Sequence, residues 1–512
     1  MRILVFHGYL LRGTGSNVYN ASLAPAFAAL GHDVHLICQD RGAGELSWVN
    51  AVGAWDRGEL RVERLREPEG EGSVSVYVPD IGGLLPVYVA DRYEGFRVKT
   101  FPELSDEELD SYLDRNVAAV RDVVAAAGEP GAALANHLIM GPVILARAGL
   151  TFATKVHGSD LSYTVRPHPK RFAPFAREGM EAASAALVGS GHTAEDLWAT
   201  VGLPGLKERT RLGPPGVDVT VFTAREPAEA ERLVRGLADR IATETEAGAW
   251  GRDPAVAVTA LRWFADSPGQ RVLFVGKLLV NKGVDLLLAA WPLVVREHPE
   301  ARLLLVGFGE YWPGLERLLG ALAAGDLDEA RRVAAAGRSL EGEGPTGPLP
   351  ILSAFLEDPP PGYAEAGRAA AGSVAMSGRL EHDEVAEVMP AADALVMPST
   401  FPESFGMVAV EAAACGVPPV SADHSGMREV STQLAGAVGP ELAPLLSFTV
   451  EPGAVQALAD RIDGWLSLPD PDRARAVDAL ASRVEELWSW QGVARGVIAA
   501  STGDLHALPR IP

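Results

Sequence analysis

The chain has 512 residues, which predicts two or three domains at roughly 100–200 residues each. Hydrophobic residues make up 47% and charged residues 22%, ordinary globular usage that excludes disorder as the main state. Its 67 acidic residues against 45 basic ones leave a net charge of −22. Such a chain repels nucleic acid and anionic lipid on average, so no nucleic-acid partner is expected, although a local basic pocket for phosphate is compatible with it.

In chain order, Ile3–Phe6 predicts a buried strand, followed by the glycine-bearing loop HGYLLRGTGSN. A helix is expected from Val18 to Leu30, stopping at Gly31, and a second strand over Asp33–Cys38, which together make a βαβ unit. ALANHLI, ATKVHG, AALVGSG and TRLGPPGVD read as further strand ends with turn glycines. Arg225–Gly269 is rich in Ala, Glu and Arg, has no clear strand, and is expected as a helical or loop insertion on the surface. From Arg271 the pattern is regular again: RVLFVGKLLVNKG, an amphipathic helix VDLLLAAWPLVVREHP, and the strand ARLLLVGFG. Ala321–Gly372 is expected as a second surface insertion. After it come VAMSGRL, a helix around Asp383–Met389, the strand ADALVMPS, a helix from Gly406 to Cys415, and the strand VPPVSAD. The tail SRVEELWSWQGVARGVIAAS reads as one amphipathic helix, with Trp488 and Trp490 available for packing.

Two runs of βα units predict an α/β protein with two parallel sheets, because single cores stop growing beyond about 250–300 residues. The expected division is 1–222, an insertion or linker over 223–270, a second domain over 271–485 with its insertion at about 321–372, and a C-terminal helix over 486–512. The two cysteines, Cys38 and Cys415, exclude a disulfide framework, and no Cys/His cluster has zinc spacing. No stretch of about 18 apolar residues predicts a membrane span. MRILVFHGYL lacks the features of a signal peptide, so a cytoplasmic protein is expected.

Four segments carry candidate chemistry. In FPESFGMVAVEAAACGVP, Glu403 and Glu411 stand eight residues apart, the first in a loop and the second inside a helix. The backbone N–H groups of Phe405, Gly406 and Met407 lie at that helix's N-terminus, where an anion is favoured. Two carboxylates there suit the vicinal hydroxyls of a sugar or ribose; an acidic N-cap and a surface glutamate are the alternative. Lys277 and Lys282 share a loop after a strand, a spacing that can clamp a diphosphate or merely decorate a solvated loop. In KVHGSDL, His157 can donate to a ligand hydroxyl or phosphate, with Asp160 orienting it or the acceptor; a buried structural histidine is the alternative. Gly13, Gly15, Ser16 and Asn17 form a glycine-rich ligand loop. A nicotinamide site is rejected there, because Val18 occupies the third glycine position and the loop is too long. Ser190 is no nucleophile elbow, since His192 replaces the required glycine. His7 is either a ligand contact or a satisfied polar group, and His32 and His35 are read as structural or solvent-facing.

Together the glycine-rich first loop, KVHGSDL, RLGPPGVDVTVF, FVGKLLVNKG, LLLVGFG, MSGRLEHDEVAEVMPAADALVMPS and ESFGMVAVEAAACGVPPVSAD resemble the family-4 retaining glycosyltransferases of the GT-B fold, over roughly 300 residues. The resemblance implies two Rossmann-like domains facing a cleft, with a nucleoside-diphosphate-sugar donor on the C-terminal one. It implies that Lys277 and Lys282 hold the diphosphate, that Glu411 accepts the ribose hydroxyls, and that Glu403 contacts the donor sugar. Gly15, Ser404, Phe405, Gly406, Met407 and Val408 would join the donor site. His157, Glu403 and Lys282 would be catalytic, and Gly13, Ser16, Asn17 and Asp160 would lie on the acceptor side. The C-terminal helix would cross back onto the N-terminal domain. One departure stands out: the family usually has arginine where Lys277 stands, and lysine loses bidentate geometry. The implied reaction is hexosyl transfer with retention, with no metal or other cofactor, to a hydroxyl-bearing small molecule, glycan or lipid-linked acceptor. A nucleotide-sugar epimerase or phosphorylase on the same fold, or a non-catalytic sugar-nucleotide binding protein, are the competing expectations.

Overall fold

The computed structural model describes residues 1–12, 16–88, 96–243, 252–342, 346–403 and 405–511. They form two compact α/β units: Met1–Gly216 with Trp488–Pro512, and Val217–Leu487.

The first unit contains β1 (Arg2–Phe6), β2 (Asp33–Ile37), β3 (Ala51–Asp56), β4 (Glu59–Arg64), β5 (Ser73–Val78), β6 (Leu84–Val87), β7 (Arg97–Thr100), β8 (Ala132–Asn136), β9 (Ala153–Lys155), β10 (Ala185–Val188) and β11 (Thr210–Leu212). Nine of them make one sheet in the order β11-β10-β9-β8-β1-β2-β5-β3-β4, while β6 and β7 pair separately. Every pairing in the large sheet is parallel except β3 with β4. That hairpin turns at Arg57 and Gly58, both at positive φ (50° and 87°), as a tight two-residue turn requires. Alternate residues of β1 and β8 feed two separate cores. Leu4, Phe6, Ala133 and Ala135 pack on one face, and Ile3, Val5, Ala132 and Leu134 on the other. A sheet covered on both faces needs such unbroken apolar strands.

The tail differs from the single helix expected. It is two helices, Asp470–Trp488 and Trp490–Thr502, broken at Ser489. Ser489 has extended backbone (φ −61°, ψ 147°), and its side chain accepts from Gly492 N–H, so it starts a new helix as an N-cap. The second helix buries Val493, Ala494, Val497 and Ala500 against Leu23 and Phe27 of the first unit.

The second unit contains β12 (Arg271–Val275), β13 (Arg302–Val306), β14 (Val374–Gly378), β15 (Ala394–Met397), β16 (Pro419–Ala422) and β17 (Ser447–Phe448). They form one parallel sheet in the order β14-β13-β12-β15-β16-β17. Neither stretch expected as a surface insertion is only that. Within 225–269, the helices Pro227–Ile241 and Pro254–Ala265 bury Leu237, Ile241, Leu261 and Phe264, and Arg271 at the start of β12 reaches back to Glu231 at 2.8 Å. Within 321–372, Leu352, Leu356 and Tyr363 are buried, and the Tyr363 hydroxyl donates to the Ala289 carbonyl at 2.6 Å. Their helical periodicity is that of core-facing helices, which composition alone conceals. No described helix is long and apolar enough to cross a membrane.

The helix Val284–Glu297 is buried along most of its length and carries Asp285 inside. Asp285 Oδ1 has no hydrogen-bond partner among the described residues, and burial foremost raises its pKa from 3.8 to about 7, with Glu341 adding to the effect.

Two outcomes follow from this packing. Tyr363→Ala should cost about 3–5 kcal/mol in chemical denaturation, the scale of emptying a buried aromatic site; a loss under about 1 kcal/mol would mean that the segment adds nothing to the core. Between pH about 4 and 7 the folded state keeps an Asp285 proton that the unfolded chain has released, so this group's contribution falls as pH rises. Asp285→Asn should therefore match the parent's melting near pH 4 and exceed it by on the order of a few kcal/mol near pH 8; a difference independent of pH would refute the assignment.

Candidate functional site

In the second unit the polar residues gather at the carboxyl ends of β12, β15 and β16. The turn Val280–Lys282 ends at Gly283, with φ +66°. A β-carbon at Gly283 would lie 2.0 Å from the Pro398 carbonyl oxygen, so glycine alone lets these two loops touch. Thr400 N–H donates to the Asn281 carbonyl at 2.9 Å, and Ser399 Oγ lies 3.0 Å from the same oxygen. The Lys282 ammonium then pairs with Glu403 Oε1, which also accepts from Ser399 Oγ at 2.9 Å. Glu403 is fixed from behind: its N–H donates to Ser425 Oγ, and its carbonyl accepts from Gly426 N–H, both at 2.9 Å. His424 Nε2 lies 2.8 Å from the Ser399 carbonyl.

Gly406 caps the helix Met407–Ala414, and its carbonyl accepts from Val410 N–H. Gly406, Met407 and Val408 thus supply the lead-in and first turn of a helix whose first N–H groups have no partner inside it. An added β-carbon at Gly406 would meet Val430 and Met427 only at ordinary contact, 3.6–3.7 Å, so the fold itself does not demand glycine there. Phe405 precedes this cap half-buried. Ser404 lies outside the described residues.

Glu411 is not a surface glutamate: it is 4% exposed and joins a different pair, its Oε1 lying 2.8 Å from His382 Nε2. The hydrogen bond to Glu411 raises the His382 pKa above 6.5, against the opposing effect of burial, and the His382 ring packs on Phe222 with centroids 4.8 Å apart. Lys277 is exposed. The structure therefore joins Lys282 to Glu403 directly and leaves Glu411 with a histidine that the sequence reading passed over. Glu341 was also missed. Its Oε1 accepts from Val280 N–H at 2.6 Å, so a residue within 321–372 holds the lysine loop from outside.

In the first unit a second polar group lies at the carboxyl ends of β1, β8 and β9. His157 follows β9, and its Nε2 lies 2.9 Å from Asn136 Oδ1 at the end of β8. Asp160 is fully buried, but the ring it holds is that of His137, with Nδ1–Oδ1 at 2.7 Å. Its other oxygen accepts from Leu138 N–H at 2.8 Å and from the His157 backbone N–H at 3.3 Å. Asp160, expected to orient either His157 or an acceptor, thus contacts the His157 backbone N–H and the His137 ring, which the β8 loop delivers, rather than the His157 ring. Ser16 Oγ is 3.1 Å from His137 Nε2, and Asn17 Oδ1 is 3.1 Å from His7 Nε2. His7 is a satisfied polar group, bonded through both ring nitrogens. Gly13 and Gly15 lie outside the described residues. Burial holds the His157 pKa well below its ordinary value, aided by His137, Lys155 and His7, and lowers the Lys155 amine to about 7.

Residues 269–338 and 368–481 match two family models, each described as Glycosyl transferases group 1. The GDP-mannose-dependent monoacylated alpha-(1-6)-phosphatidylinositol monomannoside mannosyltransferase of Corynebacterium glutamicum is 27% identical over 285 residues, 54% of this chain and 52% of that one. The glycogen synthase of Mycobacterium tuberculosis is 29% identical over 247 residues, 47% of this chain and 45% of that one. The chain thus spans about half the length of the curated relatives it matches. The crystal structure of Anabaena HepE in complex with UDP aligns with a TM-score of 0.52 at 16% identity, covering 97% of this chain and 98% of that one, a likeness of fold. Lys282 falls in the first matched stretch and the Glu403–Glu411 segment in the second, so both candidate segments lie where the chain matches the models of the group 1 glycosyl transferases.

Proposed function

We propose that the protein is a glycosyltransferase that moves a sugar from a nucleoside-diphosphate sugar to a hydroxyl of a small-molecule, glycan or lipid-linked acceptor. The observation that carries this reading is the contact of Lys282 with Glu403 beside the N-terminus of the helix Met407–Ala414. A cation and a helix N-terminus favour the same anion, the diphosphate, and a carboxylate next to them suits sugar hydroxyls. Without ligand, Glu403 occupies Lys282; a bound diphosphate competes for the ammonium and releases Glu403 to the sugar. Lys277, exposed on the same loop, adds a point charge rather than a bidentate fork. Glu411, held by His382, is positioned for the ribose, and Gly406, Met407 and Val408 offer main-chain donors to phosphate.

In this reading the charge that develops on the leaving diphosphate is met by lysines and oriented N–H groups, so transfer proceeds without a metal, and with retention at the anomeric carbon. On the first unit, His157, Asp160, Ser16 and Asn17 serve the acceptor side. The name of the Corynebacterium glutamicum relative mentions GDP-mannose and the structural neighbour is in complex with UDP, so the test begins with a panel of nucleoside diphosphates and their sugars. Binding should raise the melting temperature with one base, in proportion to RT ln(1 + [L]/Kd), and product should form in the presence of EDTA with the donor's anomeric configuration. No shift with any member of the panel refutes the reading. Lys282→Ala should lower turnover at least about tenfold, the scale of one lost phosphate contact; unchanged kinetics would remove Lys282 from the site.

A further inference from the structure

The side chains behind His157 form a chain whose hydrogen-bond directions are fixed from its far end. His7 Nε2 lies 2.8 Å from the Leu10 carbonyl, and a carbonyl only accepts, so Nε2 carries a proton. Burial, with His137 nearby, lowers the His7 pKa to about 3, which leaves the ring neutral and its Nδ1 a bare lone pair. Two amides donate to that lone pair: Asn136 Nδ2 at 2.9 Å and Asn20 Nδ2 at 3.2 Å. The Asn20 amide is oriented independently, because the same Nδ2 donates to the Ser16 carbonyl at 2.8 Å. With Asn136 Nδ2 turned to His7, its Oδ1 faces His157 Nε2 at 2.9 Å. An amide oxygen only accepts, so His157 Nε2 carries the proton of a neutral ring, and Nδ1 has none. Among the described residues no hydrogen bond reaches His157 Nδ1.

We propose that His7 and Asn136 are positioning residues that lock His157 in its Nε2–H tautomer, so that His157 presents a bare Nδ1 as hydrogen-bond acceptor to a substrate hydroxyl and does not act as a cation toward phosphate. The neighbouring His137, 4.8 Å away between centroids, has the opposite setting, with its Nδ1 on the Asp160 carboxylate. The groups facing His157 are the His137 ring, the Lys155 amine and His7, the Asp160 carboxylate on its backbone N–H, and the edge of Tyr19. None of them hydrogen-bonds a proton onto Nδ1. A substrate lacking the matching hydroxyl would leave a half-buried acceptor unpaired, so the arrangement selects for that hydroxyl. The identity of the hydroxyl as a sugar or acceptor group rests on the glycosyltransferase reading; the tautomer does not.

The test is nitrogen-15 NMR of the full-length chain labelled at histidine, with His157→Gln identifying the signals of residue 157. The expected spectrum has a protonated Nε2 and an unprotonated Nδ1, a protonation pattern kept between pH about 5.5 and 8.5 while the Lys155 amine titrates nearby. A protonated Nδ1, or titration near the ordinary value, overturns the proposal. In Asn136→Asp the new carboxylate faces His7 Nδ1 and His157 Nε2 and favours the charged form of both rings, which raises both pKa values. Transfer by this variant should therefore fall on the acid side and recover as pH rises, a limb the parent lacks; a profile parallel to the parent's counts against the relay. Asn136→Leu, which breaks the relay with no new charge, should lower kcat about tenfold while its melting temperature reports the fold. If it is folded and fully active, the positioning role fails. If the parent transfers no sugar, the glycosyltransferase reading fails, and the NMR spectrum still decides the tautomer.

Discussion

A parallel sheet sends every strand's carboxyl end to the same edge, and both units of this protein concentrate their polar chemistry there. In the first, His7, Asn136, His137 and His157 all stand at or just beyond the ends of β1, β8 and β9. In the second, Lys282, Ser399, Glu403 and His424 stand beyond β12, β15 and β16. Adjacent strands in register bring residues remote in sequence to hydrogen-bonding distance with no further device. The apolar strands beneath, covered on both faces, hold those ends still. In the second unit the approach is closest at Gly283, where any side chain would strike the Pro398 carbonyl.

The two clusters handle charge in different ways. Lys282 and Glu403 are 29% and 24% exposed, and an ion pair open to water contributes little to stability. In the proposed reading such a pair is exchanged at small cost for the diphosphate of a donor, in a protein of net charge −22. The first unit instead buries its polar groups. A buried charge is costly unless paired, and the chain from Leu10 to His157 avoids that cost by staying neutral at every link. Asp160, at 0% exposure, is accommodated by donors from His137, Leu138 and His157.

What was legible in the sequence follows from the range of the interactions. The glycine and lysine loop after β12 and the paired glutamates are local patterns, and both lie where the strand and helix periodicity put them. The Arg57–Gly58 turn was readable in principle, since glycine between alternating strands signals a hairpin, yet its charged residues obscured it. Ser489 breaks the tail helix through one side-chain cap, which an amphipathic pattern running through it hides. His137 and Asp160 are 23 residues apart, and Glu341 and Val280 are 61 apart. Nothing in one sequence announces such pairs. Asp160 contacts the His137 ring although His157 is nearer to it in the chain, and the fold uses that nearness for the His157 backbone N–H instead.

His157 and His137 show why residue type alone leaves a site undetermined. Both are histidines at neighbouring strand ends, their rings 4.8 Å apart. One has a carboxylate on Nδ1; the other has an amide oxygen on Nε2, oriented through His7 by a backbone carbonyl. A carboxylate partner would accommodate a charged imidazole, whereas an amide wedged between two neutral rings cannot stabilise one. Asn136 therefore determines which nitrogen of His157 faces outward and in which protonation state. Being uncharged itself, it does so without adding a second carboxylate beside the Lys155 amine, whose pKa burial has already lowered to about 7.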